Sequence, residues 1–279
     1  MDEYDEHDDL PYLPWNQLDF SVITMGMKHL PFFEDDVYLG MQAMNVGVMD
    51  SIVTDFEYRL LREYFEIEKT PLETAMAVSA LSQMWVYGLY EVLRMWRDRR
   101  YQFDKLFKNG GIDPKIEGMP DDDLLNLTIE VRKDQLKRYK DQPEYRQSIE
   151  DAWVRIEGVY RMTELFRINL AKHCAPGKDG AIPRAPGYGR INNRCGAMDY
   201  ELIVKDGYYT TMNRRDIADA LRAFDNALGT RHARYRKLSG LDRFRHQANK
   251  RHRLARPYRT CDLSCDNGFR KTQKRGPDA

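Results

Sequence analysis

Residues 70–103 read TPLETAMAVSALSQMWVYGLYEVLRMWRDRRYQF, and between Glu73 and Glu91 they hold no charged side chain. Thr70-Pro71-Leu72-Glu73 predicts a capping box. Thr70 accepts from the amide of the third helical residue, Glu73 reaches back, and Pro71 wastes no donor at the first position. The helix it opens is expected to run to about Phe103. A membrane span needs about 20 apolar residues, and Thr74, Ser79, Ser82, Gln83 and Gly88 interrupt this one. The stretch therefore reads as a buried central helix. Its second half, EVLRMWRDRR, ends basic, which suits the negative end of a helix dipole.

Further helices are expected on either side. From Asp50, Ile52, Phe56, Leu60 and Tyr64 recur every four residues, with Arg59, Arg62 and Glu63 on the other face. After the loop NGGIDPKIEGMP, Asp121-Asp122-Asp123 suit a helix N-terminus. Leu124, Leu127 and Val131 give that helix an apolar stripe, which Gln142-Pro143 breaks. A fourth helix is expected from about Pro143 to Lys172, with Ile149, Trp153, Ile156, Tyr160, Thr163 and Phe166 inward. Four helices with short or modest links make an antiparallel four-helix bundle over residues 50–175 the expected architecture of a mainly α chain.

The flanks read differently. Residues 1–49 are apolar without a sustained period and carry Gly26, Gly40 and Gly47, so they are expected to be an irregular lead-in. Residues 176–229 predict a β-hairpin with a turn at Lys205-Asp206-Gly207, then a short helix from about Asn213 with Ile217, Leu221 and Phe224. Residues 230–279 are poor in apolar side chains and are expected to form a basic tail that is disordered in isolation.

The 279 residues hold 44 Lys+Arg and 44 Asp+Glu, yet that neutrality hides a partition. Residues 1–230 carry 29 bases and 40 acids, a balance of −11; residues 231–279 carry 15 bases and 4 acids, a balance of +11. An acidic body and a basic tail imply different partners: a protein for the body, and nucleic acid for the tail. In the tail, Arg245, Lys250, Arg251 and Arg253 are interleaved with Tyr235, Phe244 and Tyr258, so phosphate contact and base stacking are both on offer. Four cysteines are too few for a disulfide scaffold. The opening MDEYDEHDDL has six acids and no Lys or Arg, unlike a secretory or transit signal. A reducing cytoplasm is the expected setting, and no membrane contact is expected. His246, His252, Cys261 and Cys265 match no zinc-finger spacing, so neither a metal nor another cofactor is expected.

The sharpest chemical candidate is Arg167-Ile-Asn-Leu-Ala-Lys-His173, at the end of the fourth expected helix. An Arg followed by a His on the terminal helix of a four-helix bundle resembles the HEPN superfamily, whose hallmark is R-x4-6-H. The resemblance covers roughly residues 50–175. Here Ile168 follows the Arg where the family usually places a polar residue, and Asn169 comes one position later. The resemblance implies an RNA-binding protein or a metal-independent endoribonuclease, of a kind frequent in toxin–antitoxin and antiviral systems, acting as a homodimer. Arg167 would hold the phosphate and His173 would move the proton; Glu91, on an earlier helix, would face the motif as a third catalytic side chain. Lys172 and Arg190 are further RNA-binding candidates.

Other roles fit the same residues. Arg167 can pair with an acid such as Glu164, His173 can cap the helix, and Glu91 can pair with Arg94. The alternative function is a non-catalytic helical interaction module with a nucleic-acid-binding tail.

Overall fold

The computed structural model describes residues 12, 15–120, 127–171, 189–203 and 209–226. All belong to the first of two compact units, Met1–Ser239; the second, Gly240–Ala279, lies outside the described residues. The chain is mainly helical. Among the described residues a 3-10 turn at Trp15–Gln17 precedes helices α1 (Ser21–Lys28), α2 (Val37–Ile67), α3 (Leu72–Lys108), α4 (Ile112–Glu117), α5 (Leu127–Asp141) and α6 (Pro143–Ala171). Strands β1 (Arg190–Ile191), β2 (Met198–Ile203) and β3 (Tyr209–Met212) and helix α7 (Arg214–Asn226) follow. The sheet is antiparallel in the order β1-β2-β3, with Ile191 opposite Met198 and Tyr200 opposite Met212.

Residues 15–49 are not an irregular lead-in. They form α1 and the first half of α2, so the long helix begins at Val37 rather than at Asp50. The Asp36 carboxylate caps α2, accepting from the amides of Tyr38 (3.0 Å) and Leu39 (3.1 Å). A glycine inside a helix costs about 1 kcal/mol, which is why this glycine-bearing stretch lacks a helical signature. Gly47 offsets that cost through packing: a Cβ there would lie 2.0 Å from Thr24 Oγ1, so its absence lets α1 rest on α2. Between these helices Phe32 holds a left-handed φ of 77°. Its ring is fixed by Phe103 at 5.2 Å and Trp96 at 6.2 Å, and the Trp96 indole donates to the Pro31 carbonyl at 2.6 Å.

The central helix is as expected, and longer. α3 runs five residues past Phe103 and buries Val78, Trp85, Val86, Leu89, Leu93 and Trp96. The capping box does not form: the helix starts at Leu72, Pro71 occupies the cap position, and no side chain caps it. Within the expected loop, Ile112–Glu117 makes the short α4. Asp121, Asp122, Asp123 and Leu124 lie outside the described residues, and Leu127 is exposed; α5 instead buries Gln135, Leu136 and Tyr139.

α3 packs against α2, α5 and α6, and α1 bridges α2 and α7. On α6 the expected stripe is the observed one, with Ile149, Ile156, Tyr160, Thr163 and Phe166 buried and Trp153 packed against them. α2 departs most. Its inward face is Val46, Asp50, Val53, Thr54, Glu57 and Leu60, whereas Ile52 is exposed. Two acids point inward because a set of arginines on α7 meets them.

The expected hairpin is β2–β3, to which β1 adds a third strand; its Lys205-Asp206-Gly207 turn lies outside the described residues. The reciprocal cap predicted at residue 70 occurs instead at α7. Asn213 Oδ1 accepts from the Asp216 amide (3.1 Å), and Asp216 Oδ2 accepts from the Asn213 amide (2.9 Å).

Candidate functional site

Two clusters of polar side chains stand out, one facing solvent and one sealed. The first lies along α3 and α6, where arginines alternate with aromatic rings. The Arg167 guanidinium sits 4.7 Å over the Tyr90 ring, and Tyr90 stacks on Tyr160 at 5.9 Å. Arg97 lies 4.8 Å over Tyr160 and donates to its hydroxyl; Arg100 lies 5.2 Å over Trp153 and pairs with Glu150. The ladder follows from spacing: Tyr90, Arg94, Arg97 and Arg100 recur every three or four residues on α3, as do Trp153, Tyr160 and Arg167, every seven, on α6.

Burial is the main cause raising the Tyr160 hydroxyl pKa, and hydrogen bonds to Tyr90 and Glu164 add to it. Burial also pushes the Tyr87 hydroxyl up, while the positive charge of Arg167 pulls it back. Such cation–aromatic stacks are worth about 0.5–1 kcal/mol each at exposed sites and more when desolvated.

Arg167 is half-buried, and among the described residues no carboxylate pairs with it. Glu164 serves other groups: it accepts from the Tyr160 hydroxyl at 3.0 Å and lies 4.0 Å from Arg97. Glu91, the residue after Tyr90, is exposed. It accepts from Arg94 at Nε (3.0 Å) and Nη2 (2.6 Å), and Arg94 also reaches Asp98 at 3.2 Å. Asn169 donates to the Leu165 carbonyl at 2.9 Å.

Arg190 stands on β1, largely exposed and 3.4 Å from Glu201. Lys172, His173, Arg245, Lys250, Arg251 and Arg253 lie outside the described residues. The α3–α6 face therefore brings Arg167 next to Tyr90 and Glu91 next to Arg94, and it adds Arg97, Tyr160 and Arg100. Sequence reading missed those three, although their spacing on the two helices was there to be read.

The second cluster joins α2 to α7. Arg214 Nε donates to Glu57 Oε1 at 2.8 Å and its Nη2 to Glu57 Oε2 at 2.6 Å; it also donates to Asp50 and to Thr54 Oγ1 (2.8 Å). Its face lies 5.2 Å from the Trp85 ring. Arg222 donates to Asp50, and Arg215 approaches Glu57 at 3.9 Å and Asp219 at 3.7 Å. Burial by itself would lower the Arg214 pKa; Glu57 and Asp50 outweigh it and raise the value.

Beside the cluster, burial pushes the Cys195 thiol up, and it raises the Asp216 carboxyl from 3.8 to about 6. Asp216 accepts from the Tyr12 hydroxyl at 3.0 Å. With its arginines and acids almost wholly hidden from solvent, this cluster fastens helices together; on the α3–α6 face Arg97 and Arg100 stay part-exposed over the buried rings of Tyr90 and Tyr160.

No family profile, curated protein or solved structure matches the chain. Among the described residues no three His, Cys, Asp or Glu side chains are grouped to hold a metal ion, and no helix is long and apolar enough to cross a membrane.

Proposed function

We propose that the protein binds RNA on the α3–α6 face and cleaves it without a metal, as the resemblance to HEPN proteins implies. On this reading α2, α3, α5 and α6 are the four bundle helices, in keeping with the packing of α3 against the other three. The observation that supports it is Arg167: half-buried, set over the Tyr90 ring at 4.7 Å, at the last turns of α6, and with no carboxylate partner among the described residues. A guanidinium held by a ring rather than by an acid keeps its donors for an incoming phosphate, which it can meet with two parallel hydrogen bonds.

The chemistry is transesterification. His173, with an unperturbed pKa near 6.5, takes the proton from an RNA 2′-hydroxyl. The 2′-oxygen forms a bond to phosphorus, the bond to the 5′-oxygen breaks, and that oxygen leaves with a proton. The products are a 2′,3′-cyclic phosphate and a 5′-hydroxyl. Arg167 stabilises the negative charge that builds on the phosphate oxygens. A homodimer and a role in a cytoplasmic toxin or antiviral system follow from the same resemblance, with Glu91 as a third catalytic side chain and Lys172, Arg190 and the basic tail as auxiliary RNA contacts.

The test is labelled RNA incubated with the full chain in EDTA, beside Arg167→Ala and His173→Ala. Cleavage by wild type and its loss in both variants supports the proposal. Intact RNA with wild type, or undiminished cleavage by both variants, ends it.

The second reading is a non-catalytic helical interaction protein. It is favoured by Glu91, whose carboxylate is engaged by Arg94. It expects no cleavage and an unchanged biological role for His173→Ala.

A further inference from the structure

Where α5 meets α3 and the start of α6, four buried polar atoms have no hydrogen-bond partner among the described residues. They are Arg132 Nη1, Gln135 Nε2, Gln135 Oε1 and Tyr145 Oη. Gln135 is wholly hidden, so its amide is cut off from bulk water as well. Folded proteins rarely leave such groups empty, because a desolvated donor or acceptor without a partner is costly, and each exception points to a bound water, ion or ligand.

The four atoms belong to one neighbourhood. Arg132 and Gln135 stand one turn apart on the same face of α5, and Gln135 stands one turn before Arg138, which lies 4.7 Å over the Tyr145 ring. The Arg132 guanidinium lies 5.5 Å over Phe103 and that of Arg99 lies 5.6 Å over Phe32; those two rings are 5.2 Å apart, and Tyr145 is 6.4 Å from Phe32. Phe32, the ring they share, is the residue held at a φ of 77°. A bulky residue in the left-handed region is strained, and such strain gathers at ligand sites.

The charges in this neighbourhood do not balance. Arg99 pairs with Asp36 at 2.8 Å, and Arg138 pairs with Asp35 and, at 2.8 Å, with Asp134. Among the described residues no carboxylate pairs with Arg132. Burial, and then the charge of Arg99, push Arg132 down to about 10 against the pull of Asp36. An anion beside Arg132 relieves both effects.

The orphan atoms specify which anion. Arg132 Nη1, Gln135 Nε2 and Tyr145 Oη donate, whereas Gln135 Oε1 only accepts. Sulfate and carboxylates bring acceptors alone. Water brings donors and acceptors but leaves the Arg132 charge unmatched. Hydrogen phosphate brings all three: its oxygens accept from guanidinium, amide and phenol, its P–OH donates to Gln135 Oε1, and its charge meets Arg132.

We propose that a hydrogen phosphate ion binds between α5 and the start of α6, held by Arg132, Gln135 and Tyr145. Half-buried Arg132 is the part of the site that solvent reaches, and Gln135 is its inner part. The site stands independently of the RNA reading: Tyr145 and Arg167 lie near opposite ends of α6, about 33 Å apart at a rise of about 1.5 Å per residue.

The experiment is thermal unfolding of the full chain in phosphate-free buffer and with increasing inorganic phosphate, sulfate serving as the control at equal ionic strength because it strengthens folding by general exclusion as phosphate does. Wild type is expected to melt several degrees higher at saturating phosphate than in sulfate, with isothermal titration giving one phosphate per chain. Arg132→Met and Gln135→Leu are expected to lose the phosphate response. Without phosphate each is expected to melt at or above wild type, since each removes groups that have no partner there.

A wild type that phosphate does not stabilise overturns the proposal. An equal response to sulfate overturns the assignment to hydrogen phosphate. Variants that respond as wild type does place the ion elsewhere, and variants that melt well below wild type without phosphate show that the two side chains already have their partners; either result overturns the site.

Discussion

Arg214 and Glu57 form a two-pronged ion pair, 2.8 Å from Nε to Oε1 and 2.6 Å from Nη2 to Oε2, with both side chains sealed from solvent. They come from helices at opposite ends of the described chain, so this contact fastens α7 to α2.

Removing one member of a buried pair leaves the other charged and unsolvated, at a cost of about 3–5 kcal/mol. Arg214→Ala leaves Asp50 with Arg222 and Glu57 with Arg215 alone, at 3.9 Å, so it is expected to lose about that much in urea unfolding. Arg214→Lys keeps the charge but not the fork, and should fall between the variant and wild type. An alanine variant within about 1 kcal/mol of wild type would contradict this account.

Asp216 gives the fold a pH dependence with a definite sign. Its folded pKa, about 6, lies above the ordinary 3.8, so the native state holds this proton longer than the unfolded chain does. The associated stability is complete below about pH 4 and is lost as pH rises through 6, up to roughly 3 kcal/mol. Stability measured from pH 4 to 8 should therefore fall more in wild type than in Asp216→Asn. Parallel curves for the two proteins would contradict it.

Two glycines with positive φ make a matched pair of tests. Gly110, at +69°, has open space where a Cβ would go, and alanine there should cost about 1 kcal/mol from the backbone alone. Gly196, at +73°, faces the Glu57 carbonyl oxygen, which a Cβ would approach to 1.8 Å. Backbone atoms of α2 cannot step aside, so Gly196→Ala should cost roughly 3 kcal/mol or more, strain and overpacking combined. Equal thermal shifts for the two variants would refute the close approach.

On the proposed function, Arg167→Ala should slow RNA cleavage about 10²–10³-fold, the usual effect of losing one charge-stabilising donor. Arg167→Lys should recover only part of that rate. Tyr90→Leu, which removes the ring under the guanidinium, should give a smaller loss, because it loosens Arg167 without deleting it. A Tyr90→Leu loss as large as that of Arg167→Ala would assign Tyr90 a more direct part.

What the sequence reveals follows from which interactions are local. Ile149 to Phe166 on α6 could be read because an apolar stripe of helical period has one sensible orientation, and the charge-free run before Glu91 marked α3 for the same reason. α2 could not be read that way. Asp50 and Glu57 look like surface residues until Arg214 is known to meet them, so the expected stripe includes Ile52, which is exposed, although Phe56 and Leu60 do pack inward. The glycines of residues 26–47 look like helix breakers unless the close approach of Thr24 is known. At the candidate site, Arg167 and Glu91 were found from residue type and position, whereas the stacking of Arg167 on Tyr90 depends on how α6 lies against α3.

The fastening of α2 by α7 also has a consequence in time. Glu57 waits for a partner 157 residues further along the chain. At synthesis rates of about 5–20 residues per second, the gap is on the order of ten to thirty seconds. Over that interval the newly made α2 carries two carboxylates on the side destined for the interior, with the α7 arginines that pair them not yet made. Burying that side of α2 before the arginines of α7 emerge would leave both acids unpaired in the interior, which is costly.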